Sequence, residues 1–186
     1  MATKVNVNGV EVNKLVGTIE AIKEDPSLAH FQFRAKTEWV DGAHSRTTIQ
    51  EFYGAGQEDT SRQESFELEG DEPPVLLGNN AGQNSVETVL HALASCLAVG
   101  VAYNAAARGI DIESMDFELE GELDLRAFLG LSEDVRPGYK NIQVNYQIES
   151  DAPREEIEEL CTYAQKTSPV LDIITNPVPV SVNLKQ

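Results

Sequence analysis

The sequence predicts an α+β domain in which one long apolar helix is buried at the centre and wrapped by antiparallel sheet. Residues 88–107 carry no formal charge, and a helix apolar on nearly every side belongs in the interior of a soluble chain. Residues 115–125 and 139–149 alternate apolar and polar side chains, the period of two that marks half-exposed strands. A run of strands, one long helix, further strands and further helices is the order of an α+β fold rather than of repeated βαβ units.

The elements follow in chain order. Val5-Asn-Val-Asn-Gly-Val-Glu-Val12 alternates around Asn8-Gly9, the signal of a tight hairpin. Asn13 is the expected cap of a short helix carrying Leu15, Val16, Ile19 and Ile22, which ends before Asp25-Pro26. Strands are expected at 30–39, where Phe31, Phe33 and Trp39 share one face, then at 47–53 and 64–68, with 54–62 as a polar loop. Residues 69–84 are dense in turn formers and deliver the chain to the central helix, 85–108, which stops at Gly109. After the strands at 115–125 and 139–149, Ser150 or Asp151 caps a helix with Pro153 in its first turn. Its inward stripe is Ile157, Leu160, Cys161 and Ala164. Ser168-Pro169 starts a short helix through Ile174, and Val178, Val180, Val182 and Leu184 form a final strand.

The chain of 186 residues is read as a single domain over 1–186. Its parts are the hairpin and short helix (1–28), a first sheet (29–68), the central helix (85–108) and a second sheet with helices (115–186). Lys and Arg number 14 against 31 Asp and Glu, a net charge of −17 that repels phosphate backbones and anionic headgroups. Neither nucleic acid nor a membrane is an expected partner. The N-terminus lacks the apolar run of a signal peptide, which points to the cytoplasm. Cys96 and Cys161 are too few for a disulfide framework, and with three scattered His they make no metal-ligand cluster. No nucleotide-binding glycine pattern occurs, so no metal or cofactor is expected. The acidic residues of 116–124 are the solvated side of a strand.

Cys96 is the one reactive side chain in an unusual setting, mid-helix in Leu90-His-Ala-Leu-Ala-Ser-Cys-Leu97. Only a thiolate is nucleophilic, so redox work there requires a nearby cation or dipole. His91, five residues earlier, lies about 140° round the helix and is poorly placed to act as its base. Read from residues alone, Cys96 is either such a nucleophile or a small packed hydrophobe.

The layout Asp71-Glu-Pro-Pro74, Asn84-Ser-Val-Glu-Thr-Val-Leu-His-Ala-Leu-Ala-Ser-Cys96, the strand at 115–125, and Thr167-Ser-Pro-Val170 resembles the OsmC/Ohr superfamily. That resemblance implies an intertwined homodimer with long helices back to back inside sheet. It further implies an OsmC-like stress-response redox protein, a thiol peroxidase that reduces organic hydroperoxides through Cys96 in an apolar pocket. Glu87 and Arg34, with Arg46 as an alternative cation, are the candidate partners of the thiolate. Glu87 also reads as a first-turn carboxylate that stabilises its own helix.

The family's second, resolving cysteine falls at Ser168 in this chain. Cys161 lies seven residues earlier, about 10 Å along a helix axis, and a disulfide needs Cα atoms within roughly 7 Å. If the family geometry holds, no Cys96–Cys161 disulfide forms, and turnover requires an external thiol reductant. The competing expectation is a non-catalytic module that binds a small hydrophobic ligand on the same dimeric scaffold.

Overall fold

Local sequence accounts for most of the elements in the computed structural model, which describes residues 6–185. In chain order these are β1 (Asn6–Val7), β2 (Val10–Glu11), α1 (Val12–Glu24), β3 (Lys36–Asp41), β4 (His44–Ile49), β5 (Phe52–Gly54), β6 (Gln57–Asp59) and β7 (Phe66–Gly70). They continue with α2 (Ser85–Arg108), β8 (Ser114–Glu122), β9 (Asn141–Glu149), α3 (Arg154–Thr167) and α4 (Pro169–Thr175). The architecture is α+β, and every paired strand among the described residues is antiparallel to its neighbour. Two compact units form, residues 13–89 and residues 90–185 with 6–12.

In the unit of residues 13–89, β3, β4 and β7 make a three-stranded sheet in that order. The strand expected over 30–39 is shorter: only Gln32 forms an isolated bridge, to Tyr53, before β3 begins at Lys36. All six β3 residues are exposed, with Trp39 at 73%, so the expected half-buried pattern is absent there. Nothing in this unit supplies a layer over that face. The loop expected at 54–62 contains a second hairpin, β5–β6, turned by Ala55 and Gly56, both at positive φ. Helix α1 starts two residues earlier than expected, at Val12, which places Asn13 inside the helix rather than at its cap.

The turn-rich segment 69–84 is organised by Asp71. Its carboxylate is buried and accepts backbone N–H groups from Glu72, Asn79 and Ala81 at 2.8, 2.9 and 3.0 Å. Those three bonds hold its pKa below the usual carboxylate value, Ala81 contributing most. Gly78 and Gly82 pack onto the carbonyls of Glu72 and Glu69 so closely that any Cβ would collide with them. Asn84 and Glu87 then open α2 with reciprocal bonds, Glu87 N–H to Asn84 Oδ1 and Asn84 N–H to Glu87 Oε2, each 2.9 Å.

In the other unit, the hairpin β1–β2 turns on Asn8 and Gly9, both left-handed. Asn8 reaches past the end of α2, donating to Ile110 O and accepting from Ile112 N–H, both at 2.9 Å. Gly109, at φ 74°, stops α2, with its N–H bonded to Ala106 O. Strands β8 and β9 pair in unbroken register from Ser114↔Glu149 to Glu122↔Asn141. Their outer face sets Asp116, Glu118 and Glu120 opposite Gln147, Asn145 and Gln143, an exposed carboxylate–amide ladder. The core of the unit joins Val101, Ala105 and Ile110 to Leu160 and Ala164, with Met115 and Ile148 of the hairpin packed against it.

Three expectations are corrected here. Helix α3 begins at Arg154 with Pro153 as its cap residue. Ser150 instead bonds Asp111 O and the N–H of Ala152. Residues 178–184 form no strand: none of the described strands pairs with them, and Leu184 is 97% exposed. A strand needs a partner for its backbone groups, and alternation alone does not supply one. Helix α2 is buried along one stripe, Leu93, Leu97, Val101, Ala105 and Ala106, rather than all round; Val99 and Tyr103 stay exposed.

Candidate functional site

Cys96 is partly buried in the middle of α2, between the buried residues Leu93 and Leu97. Helix α3 runs alongside in the opposite direction. A methyl group built on Gly100 would stand 3.4 Å from the Cβ of Ala164, so the absent side chain at Gly100 is what lets the helices approach. One turn away on both helices, four residues on each, Ser168 Oγ donates to Cys96 Sγ at 3.2 Å. The register therefore pairs 100 with 164 and 96 with 168.

Ser168 is 5% exposed and held from both sides. It closes α3 through its N–H, bonded to Gln165 O at 3.3 Å, and caps α4 by accepting Leu171 N–H at 3.2 Å. Pro169 has no N–H to leave unpaired and is suited to the first position of α4. With its oxygen accepting from Leu171, the hydroxyl proton of Ser168 is directed at the sulfur. The position at which the resemblance placed a second thiol thus bears a hydroxyl in contact with the first.

Cys161 has different surroundings. It is 7% exposed on α3, hydrogen-bonded to Tyr146 of β9, and burial pushes its thiol pKa up. Tyr146 also accepts from Gln165 Nε2 at 2.8 Å, and burial together with the Cys161 thiol pushes its phenol up to about 12. Both cysteines are free. A cavity of about 620 Å³ opens beside Cys161, lined by the apolar Ile148 and Ile157 and by the polar Arg154, Glu158 and Thr162. Cys96 is not among its lining residues. Neither the cavity nor the Tyr146–Cys161–Gln165 cluster was expected from sequence. Periodicity placed Tyr146 and Cys161 on inward faces, but it carries no information on which faces meet.

The other candidate residues lie in the unit of residues 13–89, and each already has a partner there. Glu87 is engaged in the reciprocal cap with Asn84. Arg34 forms a two-pronged pair with Glu58, both contacts 2.8 Å, and also donates to Gln32. Arg46 donates to Glu69 at 2.7 Å, and His44 contacts the same carboxylate at 2.6 Å. Among the described residues no group of His, Cys, Asp and Glu is arranged to hold a metal ion.

The family model for OsmC-like protein matches residues 78–183. That is more than half of the sequence and includes both Cys96 and Ser168, and the chain belongs to the OsmC-like family. Solved structures carry the same fold. An OsmC-like protein from Mycoplasma pneumoniae superposes with a TM-score of 0.58 at 18% identity, over 78% of this chain and 89% of that one. An organic hydroperoxide resistance protein OsmC from Legionella pneumophila, described as a predicted redox protein, gives 0.54 at 18% identity, over 78% and 90%. An OsmC-like protein from Vibrio cholerae gives 0.54 at 12% identity, over 76% and 92%. No curated protein matches the chain by sequence.

Proposed function

We propose that the protein is a stress-response thiol peroxidase of the OsmC-like family that reduces organic hydroperoxides with one cysteine, Cys96. The observation that carries this reading is the hydrogen bond from Ser168 to a sulfur that is still partly exposed. The hydroxyl orients the sulfur, and the partial exposure leaves it within reach of a peroxide.

In the proposed cycle the Cys96 thiolate attacks one peroxide oxygen. The S–O bond forms as the O–O bond breaks, and the leaving alkoxide takes a proton from water to become an alcohol. Sulfur loses two electrons, the peroxide gains them, and Cys96 becomes a sulfenic acid. An external thiol then attacks that sulfur and expels water, leaving a mixed disulfide. A second external thiol releases Cys96 and departs as the disulfide of the reductant. Such reductants are abundant in the cytoplasm, where we place the protein. Arg34 and Glu87 enter this reading as candidate partners of the thiolate. Each must give up an existing bond to serve, Arg34 the Glu58 pair and Glu87 the Asn84 cap.

The protein is proposed to act as a homodimer. Two exposed apolar features support self-association: Val99 and Tyr103 on α2, and the unpaired alternation of Val178, Val180, Val182 and Leu184. The test treats reduced protein with cumene hydroperoxide, alone to read intact mass and then with a small thiol added to read peroxide consumption. Wild type is expected to gain one oxygen, about 16 Da, and to turn over; Cys96→Ser is expected to do neither. Turnover by Cys96→Ser that disappears in Cys161→Ser would reverse the assignment.

A second reading has its own observation. The cavity beside Cys161 supports a module that binds a small apolar ligand. Under that reading Cys96→Ser retains full function, and Ile157→Trp, which fills the cavity, removes it.

A further inference from the structure

We infer that Ser168 is a positioning residue for Cys96, and that its hydroxyl makes the centre a one-thiol site whose oxidised form is left for an external thiol. This inference rests on the peroxidase reading for its oxidised states, but the contact that carries it belongs to the reduced protein. The Ser168 oxygen is committed to Leu171 N–H and its proton to Cys96 Sγ, so the group has one orientation available. A hydroxyl can donate to a thiolate and then to the oxygen of a sulfenic acid, yet it cannot form the S–S bond that would expel water from that acid.

No other thiol of the chain replaces it. Cys161 is buried, bonded to Tyr146, and its pKa is pushed up, which removes the thiolate character that attack on a sulfenic acid requires. The sulfenic acid therefore persists until a small thiol reaches it from solvent. That attack forms the mixed disulfide and releases water, and a second molecule of the same thiol restores Cys96.

Three full-chain variants test the inference: Ser168→Ala, Ser168→Thr and Ser168→Cys. In the reduced state, alkylation of Cys96 by iodoacetamide at neutral pH is expected to slow about tenfold in Ser168→Ala, since the hydrogen bond that orients the sulfur is lost. Ser168→Thr, which keeps the hydroxyl, is expected to restore the rate to within about twofold. The same peroxide treatment, followed by dimedone trapping, is expected to show a longer-lived sulfenic acid in wild type than in Ser168→Ala. In Ser168→Cys, cumene hydroperoxide is expected to give loss of two hydrogens in place of the added oxygen. The 3.2 Å separation needs to close by only about 1 Å for an S–S bond.

If Ser168→Ala loses thermal stability while Cys96 is alkylated at the wild-type rate, Ser168 only caps α4 and the inference is overturned. An open dithiol in Ser168→Cys, under peroxide treatment that does oxidise wild-type Cys96, would overturn it as well. If wild type ignores cumene hydroperoxide while the Ala and Thr variants show the expected alkylation pattern, the peroxidase reading fails and the positioning role of Ser168 stands.

Discussion

Gly100 and Ala164 face one another across α2 and α3 with room for a single methyl group, 3.4 Å from the Ala164 Cβ. That close approach sets the distance at which Ser168 meets Cys96 one turn further on. Gly100→Ala is expected to be tolerated, its tighter contact offset by a helix-propensity gain of about 1 kcal/mol. Gly100→Leu is expected to push the helices apart and cost about 1–3 kcal/mol. Urea unfolding measures the cost, and faster loss of the Cys96 sulfenic acid would report the broken contact with Ser168.

Leu160 is fully buried between the same helices, at 0% exposure. Leu160→Ala is expected to destabilise the protein by about 2–5 kcal/mol, because both the transfer energy and the residual cavity count against it. An unfolding midpoint unchanged from wild type would contradict the packing of Leu160 against Val101 and Ala105.

The two thiols are expected to differ sharply in reactivity. In native protein at neutral pH, iodoacetamide is expected to label Cys96 and spare Cys161, whose burial keeps its thiol protonated. In urea both are expected to react. Peptide mass analysis after a timed reaction separates the two sites.

Acid is expected to loosen the fold through specific carboxylates. Asp71, held by three backbone amides, and Glu69, held first by Arg46 and then by His44, both have pKa values below their ordinary ones. A carboxyl depressed in the folded state contributes stability above its unfolded pKa, about 3.9 for Asp and 4.3 for Glu. That stability is lost as pH falls through the lower folded value. Denaturant midpoints are therefore expected to be flat near neutrality with respect to these groups and to fall below about pH 4. Asp71→Asn is expected to remove part of that acid dependence while lowering stability at neutral pH.

Salt is expected to act in the opposite sense. A net charge of −17 opposes compaction by self-repulsion. Raising ionic strength from 0.1 to 1 M shortens the screening length from about 10 to about 3 Å. The thermal midpoint is expected to rise over that range, despite weakening of exposed pairs such as Arg154–Glu158. A falling midpoint would show that those pairs outweigh the repulsion.

What the sequence revealed divides along physical lines. Elements whose signals are local were legible: the Asn8-Gly9 turn, the stop at Gly109, the alternation that became β8 and β9, and the Ser168-Pro169 start of α4. Elements that depend on a neighbour were not. Val178 to Leu184 alternates as well as β9 does but has none of the described strands beside it, and Phe31 to Ala35 lacks a described ladder partner apart from the Gln32 bridge. The site was legible in the same uneven way. Cys96 stood out by its setting and Ser168 by resemblance, whereas the hydrogen bond between them spans 72 residues and depends on how two helices meet.

The helical ladder that pairs 100 with 164 and 96 with 168 has a consequence for how such a chain can vary. Inserting or deleting one residue in α3 between Ala164 and Ser168 would swing the hydroxyl about 100° round the axis and away from the sulfur. Exchanging side chains elsewhere on that helix would leave the alignment intact. Length between those two positions is thus constrained more tightly than composition, and an indel there is the smallest change that uncouples the pair while sparing both residues.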